Sequence, residues 1–317
     1  MNGRFWKLWL PLALFAVFLL FPFYWMVLTA LRPNAELVST SANPFWVHHP
    51  TLEHIQYLLG GTSFLRWFWN TMGIATGASI LSVAASWLAA YGIVRVGFPL
   101  AAGAGLAIYL GYLIPPAILF IPLADILLQL GWFDKPWALV PVYTTFLIPF
   151  CTWLLMGFLK SIPREIEEAA MVDGASRIRV MLGIVLPLSG PGLISAFIFA
   201  FTLSWNEYLY ALVFMSAPEH KTVPVGLATE LVRGDLYQWG PLMAGALLGC
   251  IPVVILYFLF VDKYVQGMSG ALKGSGRAYP FSYGAVDCAD GVHHLRRWAR
   301  FFAPEGPSHR AAVRRAS

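Results

Sequence analysis

The sequence predicts an all-α polytopic membrane protein with six transmembrane helices, and three observations carry that prediction. Apolar stretches of about 20 residues recur along the chain, which is the length an α-helix needs to cross a bilayer core. Of the 317 residues, 58% are hydrophobic and 12% are charged, about half the charged share of a soluble domain. A soluble helical protein of this composition would lack the polar surface to cover its core. Finally, only one interval between the apolar runs, 163–191, has the length and charge pattern of amphipathic helices.

Arg4 and Lys7 precede the first apolar run, 8–31. It is longer than a signal-peptide core and has no small-residue cleavage pattern, so it reads as a retained span. Pro11 lies in its first turn, where a missing N–H costs little, and Pro22 predicts a kink deeper in. Residues 32–69 form a polar and aromatic connector with Pro33, Pro44, Pro50, His48, His49 and His54. Phe45-Trp46 and Trp67-Phe68-Trp69 read there as interfacial anchors.

The second span, 70–94, is rich in Gly73, Ala75, Gly77, Ala78, Ala84, Ala85, Ala89 and Ala90, small residues that let helix backbones approach closely in lipid. Arg95 ends it. The third, 100–123, holds Pro115-Pro116 and Pro122, which predict either a broken helix facing a pore or interface, or a plain kink. Asp125 sits near its end. Asp134 and Lys135 lead to the fourth span, 138–158. The fifth, 192–214, carries Trp205-Asn206-Glu207. Residues 217–239 read as a polar connector, and the sixth span is 241–261.

The basic residues assign sides. With the amino terminus inside, Arg4, Lys7, Arg95, Lys160, Arg164, Arg177, Arg179, Lys263 and Lys273 are cytoplasmic, while Arg32, Arg66, Lys135, Lys221 and Arg233 are outside, nine against five. The positive-inside rule therefore favours both termini and the 163–191 loop in the cytoplasm. The net charge of +5 is thus a matter of topology rather than of nucleic-acid binding. Cys151, Cys250 and Cys288 fit neither a disulfide framework nor a metal site. From residue 275 to 317 the composition becomes glycine-interrupted and basic, and reads as a mostly disordered cytoplasmic tail. His293, His294 and His309 in it lack companion ligands, so no metal site is expected.

Within 163–191, Pro163 is placed as the first helical residue with Ser161 as its cap. Glu165, Glu167 and Glu168 then complement the helix dipole, and Ile166, Ala169, Ala170 and Asp173 share a face. Gly174 permits a bend. Residues 177–186 form a second helix that Pro187 halts, with Pro191 beyond it. The product is a helical hairpin with a small-residue face, suited to a cleft on a soluble partner. It also reads, more blandly, as an ordinary charged loop. The chain has no G-x-x-x-x-G-K-[ST] loop, so nucleotide energy would come from another chain.

Residues 168–191, EAAMVDGASRIRVMLGIVLPLSGP, resemble the EAA loop of the inner-membrane permease subunits of binding-protein-dependent ABC importers. The match lies in Glu168-Ala169-Ala170, Asp173-Gly174-Ala175, Leu186-Pro187 and Pro191. SWNEYLYAL at 204–212, TVPVGLATE at 222–230, IPVVILYFLF at 251–260 and GMSGALKG at 267–274 resemble the maltose-type, carbohydrate-uptake branch. The resemblance covers 8–274 and implies a type I ABC importer permease fold over residues 1–274. By it, Glu168, Ala169, Ala170, Asp173, Gly174 and Ala175 form a coupling helix seated on a cytoplasmic ATPase, with Glu168 in contact and Gly174 at the bend. It also implies a heterodimer with a second permease subunit, an ATPase dimer carrying ATP and Mg, an extracytoplasmic solute-binding protein and a sugar or polyol substrate. The resemblance further implies that the second permease subunit grips most of the sugar. Such permeases usually end near the GALKG stretch, whereas this chain runs 43 residues past Gly274, as a private extension or a misread gene end.

Glu207 is the sharpest polar signal near hydrocarbon: it either lines a solute path with Asn206 and Tyr208 or pairs with a neighbouring span. Trp153 and Trp205 either stack on sugar rings or pack. No nucleophile, base and orienting group occur together, so no catalysis is assigned. Two other readings stay open: an ion-gradient-coupled secondary transporter, which would show inverted repeats and midplane charges, and an ABC importer permease for a non-sugar solute.

Overall fold

The computed structural model describes residues 2–39, 43–233 and 236–273. The tail expected at 275–317 lies outside the described residues. In chain order the helices are α1 (Asn2–Leu31), α2 (Asn34–Leu37), α3 (Glu53–Gly61), α4 (Phe64–Tyr91), α5 (Ala101–Tyr112), α6 (Pro116–Gln129), α7 (Leu139–Ser161), α8 (Glu165–Val172), α9 (Arg177–Val180), α10 (Leu186–Leu188), α11 (Gly190–Trp205), α12 (Leu209–Phe214), α13 (Val223–Glu230) and α14 (Trp239–Lys273). A small antiparallel hairpin, β1 (Val232–Arg233) and β2 (Leu236–Tyr237), pairs Val232 with Tyr237. Among the described residues, four helical stretches are long and apolar enough to cross a membrane: Trp9–Leu31, Phe64–Val96, Pro136–Ser161 and Trp239–Val261. Two bent pairs, α5 with α6 and Arg177–Leu188 with α11, raise the count to six if each pair is one span.

The bends decide between two expectations. α5 and α6 meet at 95°, so this stretch is broken, as a bent span or a re-entrant loop, rather than merely kinked. Pro115 and Pro116 both lack an N–H, and their rings crowd the preceding turn; Pro116 instead opens the next helix, where φ near −65° suits it. The fifth span is corrected as well. Its helix ends at Trp205, and the chain breaks over 206–208 before the short α12.

The chain divides into two compact units. One comprises the chain up to Thr76, Phe120–Val140 and Thr202–Leu259. Its core joins Leu58 of α3, Phe64 and Trp67 of α4, Val223, Leu227 and Leu231 from α13 and its C-terminal end, and Ala244 of α14. Trp67 is therefore not an interfacial anchor: it is 1% exposed, and its indole N–H donates to the Pro218 carbonyl at 2.6 Å. Trp69 is 67% exposed.

Residues 217–239 are likewise not a mere polar connector. Val223, Val225 and Leu227 are buried, and their charged flanks satisfy each other through a Lys221 Nζ–Glu230 Oε1 contact of 2.7 Å. Thr71 Oγ1 accepts from the Val223 amide at 2.8 Å, fixing this helix to α4. Gly226 allows the approach, since a Cβ there would lie 2.3 Å from the Trp67 ring. His54, expected in an open connector, is 2% exposed, with its Nε2 at 2.8 Å from the Arg32 carbonyl.

The same unit holds a polar staple. Asp134 sits at φ 57°, and its Oδ1 accepts from the amides of Ser216 at 2.8 Å and Ala217 at 3.1 Å. Its Oδ2 lies 3.2 Å from His220 Nδ1. Burial pushes the Asp134 carboxyl up, but the two amides and the His220 ring outweigh it and hold it below its ordinary value.

The other unit comprises Gly77–Leu119, Pro141–Phe201 and the stretch beginning at Phe260. Tyr143, Leu147, Cys151, Leu155 and Leu159 recur every fourth residue of α7 and are fully buried. On α4 the buried small stripe is Ala78, Ser82, Ser86 and Ala90, and the Ser86 hydroxyl donates to the Ile148 carbonyl at 3.1 Å. Small side chains thus bring the two backbones within side-chain-to-backbone reach, as membrane helix packing favours.

Two measurements follow. Gly226→Ala must displace the Trp67 ring, an overpacking that costs about 1–3 kcal/mol, visible as a lower unfolding midpoint in detergent. Because the folded Asp134 carboxyl titrates below its unfolded value of about 4, its stabilisation is present above that pH and is lost as pH falls through the folded value. Asp134→Asn should flatten that acid limb in thermal unfolding and leave neutral-pH behaviour less stable than wild type.

Candidate functional site

The charged loop folds as a short helix, a tight turn and a second helical run. α7 extends to Ser161, whose hydroxyl donates back to the Phe158 carbonyl at 2.7 Å, so Ser161 does not cap the next helix. Pro163 precedes α8 rather than opening it, and Arg164 takes the N-cap position. The reason is that the apolar pattern of α7 carries through Leu159 and Ile162, both buried, and pulls the chain one turn further than the charge pattern suggests. Gly174 follows α8 at φ 86°, a left-handed conformation that glycine adopts without penalty. Ser176 caps α9, accepting from the Arg179 amide at 3.4 Å.

Pro187 does not halt the second run. A π-helical turn, Met181–Val185, precedes it, and the chain stays helical to Leu188. The wider turn accommodates a ring that would otherwise collide with the carbonyl four residues back. Pro191 lies in the first turn of α11 and begins a helix instead of closing one.

α8 has two faces. Glu168, Ala169, Asp173 and Gly174 are exposed and Ala170 and Ala175 are partly so, with Val172 beside them 86% exposed. On the opposite face Glu167 is buried. Its Oε1 lies 2.9 Å from Arg95 Nε, the two side chains being 4% (Arg95) and 9% (Glu167) exposed. Tyr91 donates its hydroxyl to Glu167 Oε2 at 3.3 Å. Arg95 also donates Nη2 to the carbonyls of Leu159 at 2.8 Å and Ile162 at 2.6 Å, and Arg164 donates to the Val94 carbonyl at 2.6 Å. Sequence reasoning grouped Glu167 with Glu165 and Glu168 as dipole-complementing surface charges. The available signal was angular: residues two apart on a helix point about 200° away from each other, so Glu165 and Glu167 cannot share an environment.

The Trp205–Tyr208 quartet is split. Trp205 is 4% exposed; its indole N–H donates to the Gly249 carbonyl at 3.0 Å, and Phe68 meets its ring edge-on at 5.8 Å. Glu207 accepts from the amides of Tyr210 at 2.8 Å and Ala211 at 3.1 Å, capping α12 across the break, a role neither expectation for it included. Asn206 and Tyr208 are exposed. Trp153 is 46% exposed, and Asp125 accepts from Gln129 at 2.8 Å one turn on. Among the described residues no group of three or more His, Cys, Asp or Glu is placed to hold a metal ion.

Comparison with known proteins fixes the class. Residues 82–270 match the family described as the binding-protein-dependent transport system inner membrane component, and the chain belongs to that family. It is therefore a permease subunit of a binding-protein-dependent transport system. It is 34% identical over 269 residues to the inner membrane ABC transporter permease protein YcjP of Escherichia coli strain K12, covering 83% of this chain and 94% of that one. It is 34% identical over 257 residues to the sulfoquinovosyl glycerol transport system permease protein SmoH of Agrobacterium fabrum, covering 80% and 89%. A chain of a bacterial ABC transporter involved in the import of the acidic polysaccharide alginate superimposes with TM-score 0.68 at 19% identity, covering 83% of this chain and 99% of that one, and shares the fold.

Glu207→Gln keeps one acceptor but loses the charge at the α12 N-terminus. A loss of about 1 kcal/mol is expected, read as a lowered unfolding midpoint of the purified subunit complex.

Proposed function

We propose that this chain is the permease subunit of an ATP-driven importer that translocates a saccharide or related polyol by alternating access. The observation that carries the mechanism is the two-sidedness of α8: one face fastened to its own spans by Glu167, the other presented outward by Glu168, Ala169 and Asp173. A helix so mounted suits the groove of a separate ATPase subunit, and this chain's family is one of binding-protein-dependent transport components. Saccharide cargo is supported by relatives named for sulfoquinovosyl glycerol and alginate. The maltose-type placement is a finer reading resting on the 204–212 and 222–230 segments.

In this reading a loaded solute-binding protein engages the outer connectors of this chain and of a second permease subunit. ATP, with Mg, closes the ATPase dimer, and α8 moves with it. Glu168, Ala169, Ala170, Asp173, Gly174 and Ala175 make the contact, while Pro163, Pro187 and Pro191 set where the loop's helices begin and end. Asn206 and Tyr208, exposed at the break after α11, line the solute path. Both termini lie in the cytoplasm and the protein resides in the bacterial inner membrane.

Val172→Cys tests this directly. In the assembled transporter it should crosslink to the ATPase and react with impermeant thiol reagents only from the cytoplasmic side; labelling from the outer face alone would refute the assignment. Gly174→Ala, which forces a Cβ into a left-handed turn at about 1 kcal/mol, and Glu168→Ala should each lower saccharide uptake roughly tenfold while ATP hydrolysis persists.

A further inference from the structure

Around Arg95 three segments of one unit are tied together. α4 ends in a π-helical turn, Gly92–Val96, that carries Arg95. Arg95 fastens the end of α7 by donating to the Leu159 carbonyl, which also accepts from the Ile162 amide, and to the Ile162 carbonyl just beyond the helix. Through Nε it also meets Glu167 on α8, while Tyr91, one turn earlier on α4, holds the other carboxylate oxygen. Arg164 completes the ring by reaching back from the start of α8 to the Val94 carbonyl. The Arg95–Glu167 pair is almost wholly buried, and such a pair repays its desolvation only where geometry and extra hydrogen bonds are good. A hydrophobic contact of equal volume would stabilise the fold as well. What the ion pair adds is direction: it resists a pull on α8 at a defined point.

We infer that Arg95 and Glu167 are positioning residues for transport, the attachment by which displacement of α8 is passed to the ends of α4 and α7. This rests on the reading of α8 as the ATPase-contacting helix. Without the pair, α8 is held by Ile162-Pro163 and the single Arg164–Val94 hydrogen bond on one side and by the Gly174 turn on the other. The glycine turn absorbs backbone rotation easily, and the other end is left with one hydrogen bond beside a proline. The exposed face would still reach the ATPase, but its motion would be spent in the two connections.

The test uses the complete importer in proteoliposomes with its binding protein and ATPases. Variants are Arg95→Gln, Glu167→Gln and the charge-keeping Arg95→Lys, each also carrying Val172→Cys as a contact reporter. Solute moved per ATP hydrolysed should fall roughly tenfold in each glutamine variant, with crosslinking to the ATPase kept near wild type, and should be kept in part in Arg95→Lys, which retains a charged donor. A merely structural role would lower assembly and crosslinking together and leave solute moved per ATP unchanged, and that result overturns the inference. Unchanged coupling with unchanged crosslinking overturns it equally. If the Val172→Cys reporter fails to reach the ATPase in otherwise wild-type transporter, it is the assignment of α8 that fails, which separates the two outcomes.

Discussion

A guanidinium at the end of a membrane-crossing helix has little water to turn to, and at Arg95 its acceptors lie on two other helices. The carbonyls of Leu159 and Ile162 take one nitrogen and the carboxylate of Glu167 faces another. The rest of the unit is arranged to permit this. Small side chains on α4 let α7 come close enough for the contact, the fourfold stripe from Tyr143 to Leu159 packs the interface, and α7 runs on to Ser161 so that its last carbonyls arrive beside the guanidinium. The placement of the loop is thus fixed from the membrane side outward, by hydrogen bonds from Arg95 to the end of α7 and by charge pairing with Glu167.

The same requirement explains the interruptions of the helices. Each break exposes backbone groups, and each finds a local remedy. At Pro115-Pro116 the second proline begins the next helix. At 206–208 the Glu207 carboxylate takes the amides freed at the start of α12. Ahead of Pro187 the helix widens into a π turn rather than ending. Polar side chains that read from sequence as candidates for solute contact or surface solvation are, in several cases, committed to these repairs. Asn206 even so donates to the Thr202 carbonyl while staying exposed.

The spans were legible because a run of about 20 apolar residues has few other fates. The loop's helix and its Gly174 bend were legible because charge placement, small-residue spacing and a glycine all point one way. What escaped the sequence was pairing at a distance. Trp67 and Gly226 are separated by more than 150 positions, and nothing local in WFWN or VPVGL announces that one needs the other to be small. Glu167 looks like its neighbours until Arg95 is seen beside it. Ser161 is a fair cap by composition, but the apolar register of α7 overrides it. Propensity set the kinds of element; long-range packing set where each one stops.

The two π-helical turns, Gly92–Val96 and Met181–Val185, carry a wider implication for how chains of this kind diverge. A π turn holds one surplus residue relative to the α-helix around it. Deleting one position there yields an ordinary helix and leaves the facing of everything beyond nearly unchanged, whereas a deletion elsewhere in the same helices would rotate the far end by about 100°. One closes α4, well ahead of the charged hairpin in sequence, and the other lies within the hairpin's second helical run. Length variation should therefore gather at these two points and leave α8 and its Gly174 turn at constant length.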